Sequence, residues 1–480
     1  MDESALEGLE GNIEGPGARS FRHHVDDQPT VEERLAAGKH LRERVPRNAH
    51  AQYQPALDRP DPVAVLEEQN RTRLPDLVPV RYARMLVSPF AFLRGAASMM
   101  AFDLSGTPTT GLKVQACGDM HIANFGVFGS AERNLVFGIN DFDETLPGPW
   151  EWDLKRLAAS VVVCARYLGL DTTAAEAIAK GTVATYRTAI REYALLGHLE
   201  TWYAQIDETA ILAGVHPAER PGIERFMRKA RQRTNVQVLA KMTDLVDDQR
   251  RIVEQPPLIV RETQSETGRP IAEGLALFLE SYVPSLPEER RVLFGRYTIV
   301  DVARKVVGVG SVGTRCWVLF LEGNGQDDPL FLQVKEAQAS VLAPHAGRSR
   351  YANEGRRVVV GQRLIQGAPD IFLGWGKQDA IHFYVRQLRD MKGSVQFEPA
   401  KVEPGAPGFG EYCRLCSHAL ALAHAKSGDA ATIAGYVGRS EALDVALAQF
   451  AAAYADQTER DYESLVHAAR HGRIRSAADV

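Results

Sequence analysis

Cys117-Gly118-Asp119-Met120-His121-Ile122-Ala123-Asn124-Phe125-Gly126, followed further on by Ile139-Asn140-Asp141-Phe142-Asp143-Glu144, decides the reading of this chain. Each block closes a short apolar run, Leu112–Ala116 and Leu135–Ile139, and the connecting residues are rich in Gly, Asp and Asn. That pattern reads as strand–loop–strand. Carboxylates and an amide therefore gather at neighbouring strand ends. Phosphoryl transfer from ATP needs such a set. One carboxylate accepts or orients the proton of the attacking hydroxyl, while an amide oxygen and another carboxylate hold Mg²⁺ against the phosphates. Asp and Asn are also ordinary turn residues, so Gly118-Asp119 alone says little and the joint spacing carries the signal. Dinuclear metallophosphatase sites also open on Asp-x-His, but they would need a Gly-Asn-His that the chain lacks.

The two blocks resemble the G-D-x-H-x-x-N … I-D-F pattern of aminoglycoside phosphotransferases and related kinase-like enzymes. The resemblance implies Asp119 as catalytic base, Asn124 and Asp141 as metal ligands with Asp143 beside them, and Asp153 as a brace of the catalytic loop. His121 would order that loop through its ring nitrogens. A second constellation lies downstream: Gly308-Val309-Gly310-Ser311-Val312-Gly313. A dinucleotide-binding fingerprint would need a helix after these glycines, yet Thr314–Leu321 is β-branched and aromatic. A glycine loop between two strands is the lid that kinases place over ATP phosphates. Leu332-Gln333-Val334-Lys335 then resembles the strand whose Lys holds the α- and β-phosphates, with Glu354 on the next helix as its expected ion-pair partner. Arg315 stands where kinases usually carry an apolar residue over the adenine.

The kinase parts come in reversed order, catalytic and metal loops before the nucleotide lobe. A circular permutation accounts for this, since domains tolerate permutation where termini lie close at the surface. The expected fold class is therefore α+β: a protein-kinase-like, two-lobed, circularly permuted fold with a helix-rich large lobe. If so, Lys335 and Asp141 share one cleft. The division expected is an acidic disordered tail at 1–29, a helical region with the catalytic part of the large lobe at 30–289, a nucleotide-binding small lobe at 290–398, and helices completing the large lobe at 399–480. Thr30-Val31-Glu32-Glu33 reads as a capping box and Asp61-Pro62 as a helix start. Strands are expected at Arg304–Val309, Arg315–Leu321, Leu330–Val334, Ile371–Trp375 and His382–Leu388, and helices through most of 152–247. Ser88-Pro89-Phe90-Ala91-Phe92-Leu93-Arg94-Gly95, Gly118–Gly126, Asn140–Glu144, Gly361-Gln362-Arg363-Leu364 and Asp370–Trp375 together resemble the bacterial domain-of-unknown-function family 2252. That family implies a protein-kinase-like fold and brings no established substrate.

With 480 residues, 45% hydrophobic and 24% charged, the composition excludes collagen-like, mostly disordered and disulfide-scaffold classes. Five cysteines fit a reducing compartment. The start, Met1-Asp2-Glu3-Ser4, is not a secretory signal, and Leu157–Ala165, the densest apolar stretch, is too short to cross a bilayer. A soluble cytoplasmic protein is expected. The net charge of −5 argues against a surface built for nucleic acid or an anionic membrane. Cys413-x-x-Cys416 with His418 has no second cysteine pair to complete a metal site. The basic run Arg225–Arg233 reads as a solvated helix face, and Arg94 as a candidate anion clamp. The function expected is an ATP- and Mg²⁺-dependent phosphotransferase acting on a small-molecule or protein acceptor. The alternatives are a non-catalytic nucleotide-binding regulator and an AMP-transferring enzyme on the same residues.

Overall fold

The computed structural model describes residues 29–477 except 215, 216, 219, 248, 266, 267, 389, 390 and 400–407. The expected acidic tail, apart from Pro29, and most of the Pro- and Gly-rich break at 399–410 lie outside the described residues. The first helix, Val31–Arg44, opens on the capping box: Glu33 N–H donates to Thr30 Oγ1 at 3.1 Å and Thr30 N–H to Glu33 Oε2 at 2.7 Å. Asp61 caps the Pro62–Asn70 helix through the Val63 N–H.

Four short strands follow, β1 (Lys113–Ala116), β2 (Phe125–Gly129), β3 (Leu135–Ile139) and β4 (Leu146–Pro149). β1 pairs with β4 and β2 with β3, both antiparallel. The hairpin β2–β3 gains β5 (Ile206–Asp207), and β6 (Thr243–Val246) and β7 (Gln249–Ile252) make a separate hairpin. The larger sheet holds β8 (Ile259–Val260), β9 (Thr298–Lys305), β10 (Cys316–Gly323), β11 (Gly325–Glu336), β12 (Gly374–Gln378) and β13 (Ile381–Gln387). Its order is β12-β13-β11-β10-β9-β8, antiparallel throughout.

Side chains alternate across this sheet, as a two-residue period requires. Leu319, Leu321, Leu332 and Val334 face Phe278 and Tyr282 of the Ile271–Tyr282 helix. Val318, Phe320 and Phe331 face Val238, Leu239 and Met242 of the Asn235–Met242 helix. The Glu354–Ile365 helix, between β11 and β12 in sequence, packs on β12 and β13. Elsewhere the chain is helical. The Trp150–Tyr167 helix is buried from Trp150 through Ala165 and is surrounded by the Thr172–Tyr193, Gly408–Ser427 and Ala442–Arg470 helices. The C-terminal part closes on the N-terminal part: Ala430–Val437 packs on Val31–Arg44, and Ala442–Arg470 on Pro62–Asn70.

The class is α+β, as expected, and four details differ. The strand expected at Arg304–Val309 is Thr298–Lys305, and the chain turns from Val306 onwards. The sheet also recruits β8 and the Ile271–Tyr282 helix from before residue 290. Strands β5, β6 and β7 interrupt a region expected to be helical, and β12 starts at Gly374 because Asp370–Leu373 forms a turn, with Leu373 N–H on Asp370 O at 3.1 Å.

Gly355 sets how closely the crossing helix can approach the sheet. A methyl group there would overlap the Phe383 carbonyl of β13, a backbone atom that cannot rotate away. Gly355→Ala should therefore destabilise the fold by about 1–3 kcal/mol, the usual cost of overpacking. A urea midpoint equal to or above that of the parent chain would contradict this packing.

Candidate active site

The end of β1 and the residues after it form the first wall of the site. Gly118 has φ +84, and a side chain there would lie 2.6 Å from the Glu144 carbonyl oxygen, so the turn needs glycine on both counts. Asp153, buried in the first turn of the Trp150–Tyr167 helix, accepts the Cys117 N–H at 2.6 Å and the Gly118 N–H at 2.9 Å. It therefore holds the backbone that presents Asp119. Arg156, one turn further along, grips Asp119 Oδ1 through Nε at 2.9 Å and also through Nη2. Its other bonds run to the Leu93 carbonyl and Met100 Sδ. Asp119 Oδ2 lies 3.7 Å from His121 Nε2. His121 Nδ1 is buried without a hydrogen-bond partner among the described residues, and burial with two neighbouring arginines keeps the ring neutral. The ring thus does not order the loop by the hydrogen bonds expected of it. Asn124 donates its amide N–H to the Asp119 carbonyl at 2.6 Å, leaving its oxygen as the atom available to a cation.

Buried Lys335 of β11 and half-buried Asp143, 192 positions apart, form an ion pair across the cleft. Lys335 Nζ is also 3.8 Å from Asp141 Oδ2. Tyr384, opposite Lys335 in the β11–β13 register, donates to Asp143 Oδ1 at 2.7 Å, and Ser311 donates to Asp143 Oδ2 at 3.1 Å. Burial pushes the Asp143 carboxyl up, but the charge and hydrogen bond of Lys335, with the Tyr384 hydroxyl, hold it at about 2. Asp141 has no such saturation. Burial and the neighbouring Asp143 raise its carboxyl, with Lys335 and Arg386 opposing. Lys335 itself is pushed down by burial and raised above its ordinary value by Asp141 and Asp143.

The glycine loop Gly308–Gly313 runs between β9 and β10 with positive φ at Gly308 and Gly313. N-terminal residues hold it: Arg84 donates to the Gly308 carbonyl, Arg73 to the Val312 carbonyl, and Leu74 N–H to the Gly313 carbonyl at 2.8 Å. Gly310 and Ser311 thereby border the same cavity of about 100 Å³ as Asp119, Asn124, Asp141 and Asp143.

Two expectations need correction. Glu354 does not meet Lys335; it pairs with Arg357, three residues along its own helix. Arg315 does not face the cleft either. Strand register sets Cys316 opposite Lys335, so Arg315 turns to the other face and pairs with Glu336 at 3.1 Å. Cys413 and Cys416 are buried thiols, while His418 shares a hydrogen bond with Tyr193 at 2.8 Å. Arg225 and Arg228 lie on an exposed helix face, and Asp429 is the N-cap of Ala430–Val437.

Sequence reading missed Arg156, Tyr384, Glu144 and Arg357. Buried Arg357 donates to three carbonyls, Asp143 at 2.8 Å, Thr145 at 2.7 Å and Gln338 at 2.8 Å, and so ties its helix to the metal-loop candidate. The available signal was weak: Arg156 lies three residues after Asp153, and Arg357 three after Glu354.

Asn124 and Asp141 are hard oxygen donors on one side of the cavity, and Asp141 lacks full charge compensation, which suits a small divalent cation. No cluster of three His, Cys, Asp or Glu occurs in metal-holding geometry among the described residues. Mg²⁺ needs no such cage, because phosphates and water complete its shell.

The profile of a family described as "Uncharacterized protein conserved in bacteria (DUF2252)" matches residues 73–468. The chain belongs to the DUF2252 family. No curated protein and no solved structure matches it. The DUF2252 match takes in Asp119, Asn124, Asp141, Asp143, Gly310 and Ser311 of the cavity wall, as well as Lys335 and Tyr384. No helix among the described residues is long and apolar enough to cross a membrane.

Glu144 gives this DUF2252 site a pH signature. Its Oε2 accepts the Val341 N–H at 2.7 Å, and burial raises its carboxyl to about 7. In the unfolded chain the value is about 4.3. Between these values the folded state binds the extra proton, so this group's contribution to stability declines as pH rises through that window. Gln keeps the acceptor and removes the titration. The melting-temperature advantage of Glu144→Gln over the parent should be larger at pH 8 than at pH 5 by calorimetry. Equal differences at both pH values would refute it.

Proposed function

We propose that the protein is an ATP- and Mg²⁺-dependent phosphotransferase with a protein-kinase-like, circularly permuted fold. The observation that carries the reading is Lys335 on Asp143 and 3.8 Å from Asp141. A phosphate-binding lysine on a strand, facing a strand-end carboxylate pair, is what a kinase uses to grip a nucleotide triphosphate. The antiparallel order β12-β13-β11-β10-β9, with the glycine loop joining β9 to β10 and a helix between β11 and β12, supports it.

In this reading Asp119 Oδ2 takes the proton of the acceptor hydroxyl. The acceptor oxygen bonds to the γ-phosphorus as the bond to ADP breaks, and ADP leaves with those electrons. The transition state is loose, so Asp119 contributes orientation as much as basicity; Arg156 and Asp153 supply that orientation. Asn124 and Asp141 would hold Mg²⁺, which supplies charge compensation for the phosphates. Asp143, already bonded by Lys335, Tyr384 and Ser311, positions Lys335. The 100 Å³ cavity is below the several hundred Å³ of ordinary ligand clefts, so a nucleotide enters with the glycine loop raised.

A second reading, a nucleotide-binding regulator without turnover, is favoured by one contact. Arg156 occupies Asp119 Oδ1, which leaves a single carboxylate oxygen to face an acceptor hydroxyl.

Asp119→Asn should bind Mg–ATP nearly as the parent does but lose about 10²–10⁴ in turnover, the range for a general base. Asp141→Asn should lose Mg²⁺-dependent nucleotide affinity as well. Calorimetric titration with Mg–ATP, together with nucleotide hydrolysis or self-phosphorylation, reads both. The reverse pattern would mean that the two loops are assigned the wrong way round. Mg–ATP binding with no turnover in the parent chain would favour the regulator. Label entering the product from α- rather than γ-labelled ATP would make the enzyme an AMP transferase.

A further inference from the structure

The front of the cleft is closed by helices ahead of β1. The Pro89–Gly95 helix is capped by Ser88, whose Oγ accepts the Ala91 N–H at 3.1 Å, and Arg94 lies in its last turn. Arg94 borders the cavity together with Asp119, His121 and Asn124. Neighbouring arginines are committed to other groups. Arg81 bonds to Asn70, Gln69 and the Gly95 carbonyl, while Arg73 and Arg84 bond to glycine-loop carbonyls. Arg94 forms no hydrogen bond or ion pair among the described residues. Its Nε is buried without a partner, and its guanidinium stands 6.0 Å from the Phe90 ring.

Arg94 is half-buried, and an Nε–H shut off from water without a partner is costly, so this guanidinium calls for an anion. Asp119, the carboxylate acting most strongly on it, is already bound by Arg156. Arg94 and Lys335 also keep different company: Arg94 borders the cavity with Asp119, whereas Lys335 pairs with Asp143 and stands 3.8 Å from Asp141. The nucleotide phosphates belong to the Lys335 end, which leaves the Arg94 end to the acceptor. The approach there is narrow. A side chain at Gly310 would lie 3.1 Å from the Arg94 carbonyl, so the tip of the glycine loop rests on this helix.

We propose that Arg94 binds an oxyanion of the acceptor, and that the acceptor is a small molecule bearing a phosphate or carboxylate group near its reacting hydroxyl. This deepens the phosphotransferase reading and rests on it. The planar guanidinium fork suits either oxyanion through paired N–H donors, and a cavity of about 100 Å³ suits a small molecule.

Thermal-shift titrations of the full chain with inorganic phosphate and with acetate test this, each without nucleotide and with saturating Mg²⁺ and a non-hydrolysable ATP analogue. At least one oxyanion should raise the melting temperature of the parent chain under both conditions and identify the group recognised. Arg94→Gln should weaken that apparent affinity at least tenfold while changing Mg–ATP affinity less than twofold by calorimetry. Ligand-free Arg94→Gln should melt no lower than the parent, because a half-buried charge with an unpartnered Nε–H is gone. Arg94→Lys, which keeps the charge but not the fork, should show an intermediate shift and carries the test if Arg94→Gln does not fold. The proposal is overturned if neither oxyanion shifts the parent, if Arg94→Gln responds as the parent does, or if that variant loses Mg–ATP affinity instead. Arg94-dependent oxyanion binding in a chain that binds no Mg–ATP would sink the phosphotransferase reading alone and leave Arg94 as an oxyanion site.

Discussion

The ion pair between Lys335 and Asp143 is the constraint on which the rest of the site depends. It joins the sheet to the loop after β3, and its Lys335 end is buried, so that removing Asp143 would leave an uncompensated charge there. Removing two charges from water costs as much as their attraction returns unless further hydrogen bonds satisfy the carboxylate. Tyr384 and Ser311 supply those bonds from β13 and from the glycine loop. One carboxylate thus fixes the position of β11, β13 and the glycine loop together. The consequence is chemical. Asp143 is consumed by structure, and its neighbour Asp141 carries the negative charge that the cleft leaves under-compensated.

Buried arginines do for the loops what strand pairing does for the sheet. Irregular backbone inside a core leaves carbonyls that need donors, and a guanidinium offers five N–H groups in a fixed fork. Arg357 serves the Asp143, Thr145 and Gln338 carbonyls. Arg386 serves the Asn140 carbonyl at 2.9 Å and Gln333 Oε1 at 3.0 Å. Arg156 serves Asp119 and the Leu93 carbonyl. A lysine's three N–H donors radiate from one rotatable nitrogen and would not fix such an orientation. The two loops that carry the carboxylates are therefore rigid although neither is a helix or a strand.

Local signals in the sequence were legible because local geometry enforces them. Thr30 with Glu33, Asp61 with Pro62, and the runs ending in Ala116 and Ile139 lead directly to their caps and strands. Asp119, Asn124, Asp141 and Asp143 come together because short strands carry them to one end of two hairpins. What sequence could not resolve is which side of an element faces the cleft. Arg315 and Cys316 differ by one position, and a one-residue shift moves a side chain to the other face of a strand. Glu354 and Arg357 lie three apart on one helix, so either could point inward, and the carbonyls of the Asp143 loop select the donor, Arg357. Arg156 was hidden in an apolar helical run, where its only visible cue was its distance from Asp153. The β-branched run after Lys305 suggested more strand, but Val306 N–H bonds to the Leu258 carbonyl and Gly308 takes a positive φ, so the chain turns instead.

The helices ahead of β1 bear on both ends of the proposed reaction. They wall the acceptor side through Arg94, and they hold the glycine loop down through Arg73, Leu74 and Arg84. With the Ser311 bond to Asp143, four hydrogen bonds oppose lifting of that loop. At about 1 kcal/mol each, they total about 4 kcal/mol, so an open loop is populated at roughly one part in a thousand. The apparent affinity for a nucleotide that needs the open form falls by the same factor. In the proposed reaction, phosphate oxygens bonding to Lys335 alongside Asp143 would recover part of that cost. On the phosphotransferase reading, then, the segment that narrows the choice of acceptor also sets how readily the nucleotide enters. Displacement of these helices would relax both at once.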